Sequence, residues 1–146
     1  TFNTSLGIAL MRSLIKQAAQ VLGDGYDIEI LEKHHRRKVD APSGTAIMLY
    51  ESLNEVMDKP KRAVFERHSQ NKPRDAEEVG IYSIRGGTMT GEHSVMFCGE
   101  DEVIEINHIT SSRDVFAIGA LRAARLMPGR PEGLYDMDDI IKWSGE

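Results

Sequence analysis

The sequence predicts an α+β fold: a mixed, largely antiparallel sheet of about four strands with helices packed on one face. Three observations point there. Helical periodicity opens the chain. Segments that alternate apolar and polar residues follow, three of them in series between residues 79 and 110. A long apolar helix comes after the last of these.

The elements follow in order. Ser5 is placed to cap a helix running to about Leu22, with Leu10, Leu14, Ala18 and Val21 as its apolar stripe. Gly23-Asp24-Gly25 ends it. Tyr26 to about Lys33 alternates as a strand with one buried face. Pro42 interrupts regular structure, and a second helix spans roughly Ser43 to Met57 on a stripe of Ala46, Leu49/Tyr50, Leu53 and Val56/Met57. Residues 58–78 hold Pro60, Pro73 and many charges, which reads as a flexible surface connection with a short strand at Ala63–Arg67. The strands Val79–Arg85, Glu92–Cys98 and Glu102–Thr110 are separated by Gly86-Gly87 and Gly99-Glu100-Asp101, the pattern of two antiparallel hairpins. Ser111 or Ser112 caps a third helix, Arg113 to about Leu126. It is apolar most of the way round and wants cover on more than one side. Pro128-Gly129-Arg130-Pro131 stops it, and a short helix is expected near Met137–Lys142.

At 146 residues the chain suits one domain, or one domain and part of another, and can bury a core without disulfides. Its net charge of −5 argues against general nucleic-acid binding. Cys98 is the sole cysteine, so no intrachain disulfide forms, and the cytoplasm is the expected compartment. No apolar run is long enough for a membrane span. The chain starts without methionine and turns helical almost at once. That reads as a cut just before a helix of a longer protein, although methionine removal ahead of threonine gives the same start.

Chemistry concentrates between His34 and Thr45. A strand delivers His34 and His35 to its C-terminal end. Inside a strand they would face opposite ways, but at its end both can approach one cleft. Arg36, Arg37 and Lys38 follow. Then Pro42-Ser43-Gly44-Thr45 opens a helix, whose free N–H groups and positive dipole end attract anions. The Ser43 and Thr45 hydroxyls add donors, and Gly44 admits a ligand close to the backbone. Together these describe a site for a small dicarboxylate with a histidine as proton donor. The spacing is not that of a metal site, and no Gly-rich dinucleotide fingerprint is present. Each feature alone also has an ordinary explanation: a polar histidine pair, a solvated basic loop, a helix cap. RNA binding through Lys33–Lys38 is a further reading, opposed by the acidic balance and the lack of interleaved aromatics.

The run Glu32-Lys33-His34-His35-Arg36-Arg37-Lys38-Val39-Asp40-Ala41-Pro42-Ser43-Gly44-Thr45-Ala46 resembles the Glu-(Leu/Ala)-His-His-x-x-Lys-x-Asp-Ala-Pro-Ser-Gly-Thr-Ala signature of dihydrodipicolinate reductases. Weaker resemblances lie at Asn3–Gly7, at Arg85-Gly86-Gly87 with Gly91-Glu92-His93, at His108–Arg113 and at Gly133–Met137, so the similarity covers nearly the whole chain. The resemblance implies reduction of a cyclic imine dicarboxylate with NADH or NADPH, in lysine and diaminopimelate biosynthesis. His34 would be the general acid and Lys38 the second catalytic donor. His35, Ser43, Gly44 and Thr45 would bind substrate. Asn3, Thr4 and Arg113 would lie toward the cofactor. The family usually has phenylalanine where Thr4 stands, and here Phe2 lies two residues earlier.

The resemblance further implies a homotetramer joined through the sheet. Residues 1–112 would form the substrate-binding and oligomerisation domain, and residues 113–146 would pack on a preceding Rossmann-type domain. A different class of reading is a non-catalytic assembly or ligand-sensing module derived from the same fold. His93 and His108 share strand faces with apolar neighbours and read as packed core histidines. His68 reads as solvated, and Cys98 and Trp143 as packing residues.

Overall fold

In the computed structural model, which describes residues 3–144, five strands form one sheet in the order β2-β3-β1-β4-β5. The strands are β1 (Asp27–His34), β2 (Arg62–Val64), β3 (Glu78–Arg85), β4 (Gly91–Cys98) and β5 (Val103–Thr110). The helices are α1 (Leu6–Leu22), α2 (Gly44–Asn54), α3 (Asp114–Leu126) and α4 (Met137–Trp143). The fold is α+β, as the sequence indicates, but the sheet is evenly mixed. β1 and β2 each pair with β3 in parallel, while β4 pairs antiparallel with both β1 and β5.

Only one of the two expected hairpins forms, β4–β5. β1 lies between β3 and β4, so residues 86–90 form a strap across its end rather than a tight turn. Gly86 N–H donates to the His34 carbonyl and Arg36 N–H to the Gly87 carbonyl. Alternation along β3 and β4 cannot reveal that a third strand is inserted between them. The consequence is functional, because the C-terminal end of β1 becomes a crossover point capped by a loop.

The core lies between one sheet face and the two helices α1 and α2. Ile28, Ile30, Val79, Ile81, Val95 and Phe97 meet Ile8, Met11, Ile15, Ala19, Ala46, Leu49 and Leu53. Most of the stripe expected on α1 faces outward instead: Leu10, Leu14 and Val21 are 50%, 40% and 84% exposed, while Ala18 packs against the core. The helix carries two apolar stripes, and the one containing Ile8, Met11, Ile15 and Ala19 meets the sheet. α2 ends at Asn54, short of Met57, and the Asn54 amide binds the Lys61 backbone to close the loop into β2.

The connection after β2 is pinned, not loose. Arg67 and Arg74 ion-pair with Glu29, Arg67 also with Glu78, and Arg74 with Asp27. The short strand expected at Ala63–Arg67 is β2 itself, which covers Arg62–Val64.

α3 begins at Asp114, whose N–H is accepted by the Ser112 hydroxyl. Its close approach is at Gly119, where an added Cβ would lie 1.8 Å from the Thr4 carbonyl oxygen. α4 is opened by an Asp136–Asp139 capping box and packs Met137 and Ile140 on Ala9 of α1. Ile118 and Leu121 of α3 remain exposed. Among the described residues, no helix is long and apolar enough to cross a membrane.

Candidate active site

β1 ends at His34, so His34 and His35 both reach the same cavity, which measures about 540 Å³. Ser43, Gly44 and Thr45 at the start of α2 form one wall, and Lys38 another. Asn3, Thr4, Arg113 and Phe116 line the side contributed by the chain start and α3, and Thr90 comes from the strap. All nine residues singled out in the sequence therefore line one cavity. No aspartate or glutamate lines it among the described residues. Its charged and titratable groups are two histidines, a lysine and an arginine, which suits an anion.

The helix start is built to present donors. The Ser43 hydroxyl accepts from Ala46 N–H, and the Ser43 carbonyl accepts from Ile47 N–H. The N–H groups of Gly44 and Thr45, in the first turn, have no intrahelical acceptor. Ser43 itself is buried, with its N–H given to Glu32 and its hydroxyl paired with His93 Nε2 at 3.0 Å. Thr45 Oγ1 accepts from the Asn3 amide at 3.0 Å, and Asn3 Oδ1 accepts from Ser5 N–H. Thr4 gives its hydroxyl to the Phe116 carbonyl at 2.7 Å. This ties the chain start to both α2 and α3. Phe2 lies outside the described residues. Lys38 Nζ is 2.8 Å from Asp40 Oδ1. His35 Nδ1 is buried without a partner.

Behind His34 stands a group to which the sequence reading gave no role. Glu32, fully buried, lies 2.5 Å from His34 Nδ1. Arg85 donates to both its oxygens at 2.6 and 2.7 Å. Burial would push this carboxyl up, but hydrogen bonds from Arg85, Ser83 and His34 outweigh it and hold it at about 2. The signal was present in the sequence: a residue two before His34 on a strand shares its face.

His93 is buried as expected, yet it is more than core packing. It holds Ser43 and meets the His34 ring edge-on at 5.2 Å between centroids. Burial first, and then the nearby His34, push its imidazole down to about 4, so it is neutral at pH 7. His108 is only half-buried, because β5 is the sheet edge; its imidazole is also pushed down by burial.

Residues 7–141 match the family described as dihydrodipicolinate reductase, C-terminus. The chain belongs to the dihydrodipicolinate reductase family. Among its relatives is the 4-hydroxy-tetrahydrodipicolinate reductase of Caldanaerobacter subterraneus subsp. tengcongensis, 49% identical over 140 residues, covering 96% of this chain and 55% of the relative. The enzyme of the same name from Staphylococcus carnosus is 46% identical over 138 residues, covering 94% of this chain and 56% of the relative. A solved dihydrodipicolinate reductase from Paenisporosarcina sp. TG-14, with dipicolinate bound, superposes with a TM-score of 0.77 at 26% identity. The superposition covers 94% of this chain and 52% of that one. The chain thus spans about half the length of the reductases it matches.

Proposed function

We propose that this chain is the substrate-holding and proton-donating half of a 4-hydroxy-tetrahydrodipicolinate reductase of lysine and diaminopimelate biosynthesis. The observation that carries the reading is the cavity. Four cationic or protonatable side chains and a helix N-terminus converge on it, and among the described residues no carboxylate lines it; Asp40 and Glu32 pair with Lys38 and His34 from outside the lining. A cyclic imine dicarboxylate matches that chemistry. Gly44 and Thr45 N–H groups hold a carboxylate, with Ser43 as the cap that aims them, and His35 contacts the other end of the ligand. His34 protonates the ring through Nε2. Lys38 stabilises the charge that develops there and assists the proton transfer.

The donor set at the cavity mouth also fits one end of a nicotinamide dinucleotide. Arg113 offers a cation with no lining carboxylate against it among the described residues, and Asn3 and Thr4, held by Thr45, Ser5 and Phe116, form the polar wall beside it. When bound, NADH or NADPH would supply the hydride that reduces the ring. The rest of its binding surface belongs to the half of the relatives that this chain does not span.

The same reading accounts for the two uncovered apolar surfaces. Ile118 and Leu121 of α3 are exposed, which suits residues 113–146 packing on a preceding nucleotide-binding domain with one side while α3 and α4 keep their contacts with α1 and the chain start on the other. Ile84, Val103 and Ile109 are exposed on the sheet face opposite the helices, which suits subunit contacts in a homotetramer. The cytoplasm is the compartment for such an enzyme.

Calorimetry with pyridine-2,6-dicarboxylate tests the site directly. The chain is expected to bind it, and Lys38→Ala to weaken binding about tenfold or more through loss of a charged hydrogen bond. Absence of binding by the parent chain, or equal affinity in Lys38→Ala, would overturn the assignment.

A further inference from the structure

We propose that Glu32 is a positioning residue for His34: its carboxylate fixes the imidazole with hydrogen on Nδ1 and so places the transferable proton on Nε2. This rests on the reading of His34 as the proton donor. The argument starts from how Glu32 is held. It is fully buried, yet its two oxygens accept one hydrogen bond from each terminal nitrogen of Arg85 and a third from the Ser43 N–H. A carboxyl with a bidentate guanidinium partner and a backbone donor is ionised, and an ionised carboxylate only accepts. His34 Nδ1, 2.5 Å from Oε2, must therefore carry the hydrogen. The other tautomer would set the Nδ1 lone pair against a carboxylate oxygen.

The ring is kept in this orientation by its other neighbours. The His93 ring meets it edge-on, and Gly91 lies on the Nε2 side, where an added Cβ would come within 3.2 Å of Nε2. The two tautomers are not equivalent for a general acid at this site. With hydrogen fixed on Nδ1, only Nε2 loses and regains a proton, and each transfer returns the ring to the same neutral form. Without the carboxylate, part of the population would hold its hydrogen on Nε2 with Nδ1 bare. Loss of a proton from the imidazolium would then occur at either nitrogen. Ser43 joins this device to the ligand side, since it gives Glu32 its N–H while capping the helix that presents Gly44 and Thr45. One carboxylate thus sets the spacing between the proton donor and the anion clamp.

The test is ¹⁵N–¹H correlation of the imidazole nitrogens in the ligand-free chain, labelled on histidine, with His34 assigned from His34→Gln. At about pH 9, where imidazoles are neutral, Nδ1 of His34 is expected to be protonated and Nε2 bare. A predominantly Nε2-protonated His34 in the parent chain overturns the proposal. Glu32→Gln is expected to raise the ratio of the Nε2-protonated to the Nδ1-protonated form about tenfold or more, and an unchanged ratio overturns it. Glu32→Asp is expected to keep hydrogen on Nδ1, which separates the effect of charge from loss of structure. If Glu32→Gln does not fold, the parent measurement decides the question alone. No ligand is present in this experiment, so a failed dicarboxylate titration leaves it standing, and a wrong tautomer leaves the dicarboxylate reading standing.

Discussion

Two glutamates on the same strand meet arginines and end in different roles. Glu29 and Glu32 stand three positions apart on β1 and point to opposite sheet faces. Glu32 faces the helices, with Arg85, Ser43 and His34 as partners. Glu29 faces the other side, beneath residues 65–77. One of its oxygens takes Arg67 and Arg74, and the other is buried beside Tyr82. Both are carboxylate–arginine joints inside a sheet. What separates them is the additional partner. At Glu32 that partner is a titratable ring lining a cavity. At Glu29 the partners are Arg67 and Arg74 of the overlying segment and Tyr82 of β3, none of which lines that cavity, so the joint fastens a loop. A buried ion pair alone marks structure; one that also holds a proton-transferring group against a cavity marks a site.

The sharpest way to break this comparison is to remove the cation from the Glu32 side. Arg85→Met leaves a fully buried carboxylate with neither guanidinium bond, and burial offers no water in exchange. Urea unfolding at pH 7 should show a loss of about 3–5 kcal/mol. A loss under about 1 kcal/mol would mean that Glu32 is far less dependent on Arg85 than its geometry indicates.

How much of this was visible in the sequence differs between local and non-local features. Local chemistry was legible. Pro42-Ser43-Gly44-Thr45 marks a helix start, His34-His35 sits at a strand end, and Asp136 heads a short helix; each depends on neighbours a few residues away. Six of the nine, from His34 to Thr45, came together because the strand end and the helix start are close in sequence and carry a recognisable signature; Asn3, Thr4 and Arg113 were legible only through the flanking resemblances. What stayed hidden depends on distant partners. The insertion of β1 between β3 and β4 is a matter of pairing, and alternation reports faces rather than neighbours. α1 offered two stripes, and only the sheet chooses between Leu10/Leu14 and Met11/Ile15. Arg67 and Arg74 looked like surface charge, and Arg85 had no visible partner, because their carboxylates lie 11–53 residues away. His93 looked like core because its Ser43 partner is 50 residues earlier.

Acid titration sharpens the comparison from the side of the protons. His93 is pushed down from 6.5 to about 4 in the folded chain. The unfolded chain therefore takes up a proton first, and stability falls as pH drops from about 6.5 to 4. The full effect of such a displacement is on the order of 3 kcal/mol. Glu32 is pushed down from 4.5 to about 2, so its contribution is complete above the ordinary carboxylate range and is lost as pH falls from about 4.5 toward 2. The two windows adjoin without coinciding. Unfolding free energy against pH should show His93→Phe flattening the upper segment and Glu32→Gln the lower. If His93→Phe leaves the slope between pH 6.5 and 4 unchanged, His93 is not the neutral, buried ring that its contacts require.

The smallest effect is expected at the Glu29 joint, and it should have a different character. Arg74 donates to Asp27, Glu29 and the carbonyls of Ile28 and Glu78. Arg74→Ala removes all of these. Arg67 remains on Glu29 and, with Arg62, on Glu78, so neither carboxylate is left without a cation. The loss should be about 1–2 kcal/mol by urea unfolding, well below that of Arg85→Met. The local consequence should exceed the global one, because the segment between β2 and β3 is fastened mainly by side chains and opens without unfolding the sheet. Limited proteolysis within residues 65–77 is therefore expected to speed up several-fold relative to cleavage elsewhere. The tautomer of His34 should not change, since Glu29 and Glu32 occupy opposite faces. A loss equal to that of Arg85→Met, or a disturbed His34, would make the two joints parts of one coupled network rather than a fastening and a positioning device sharing a strand.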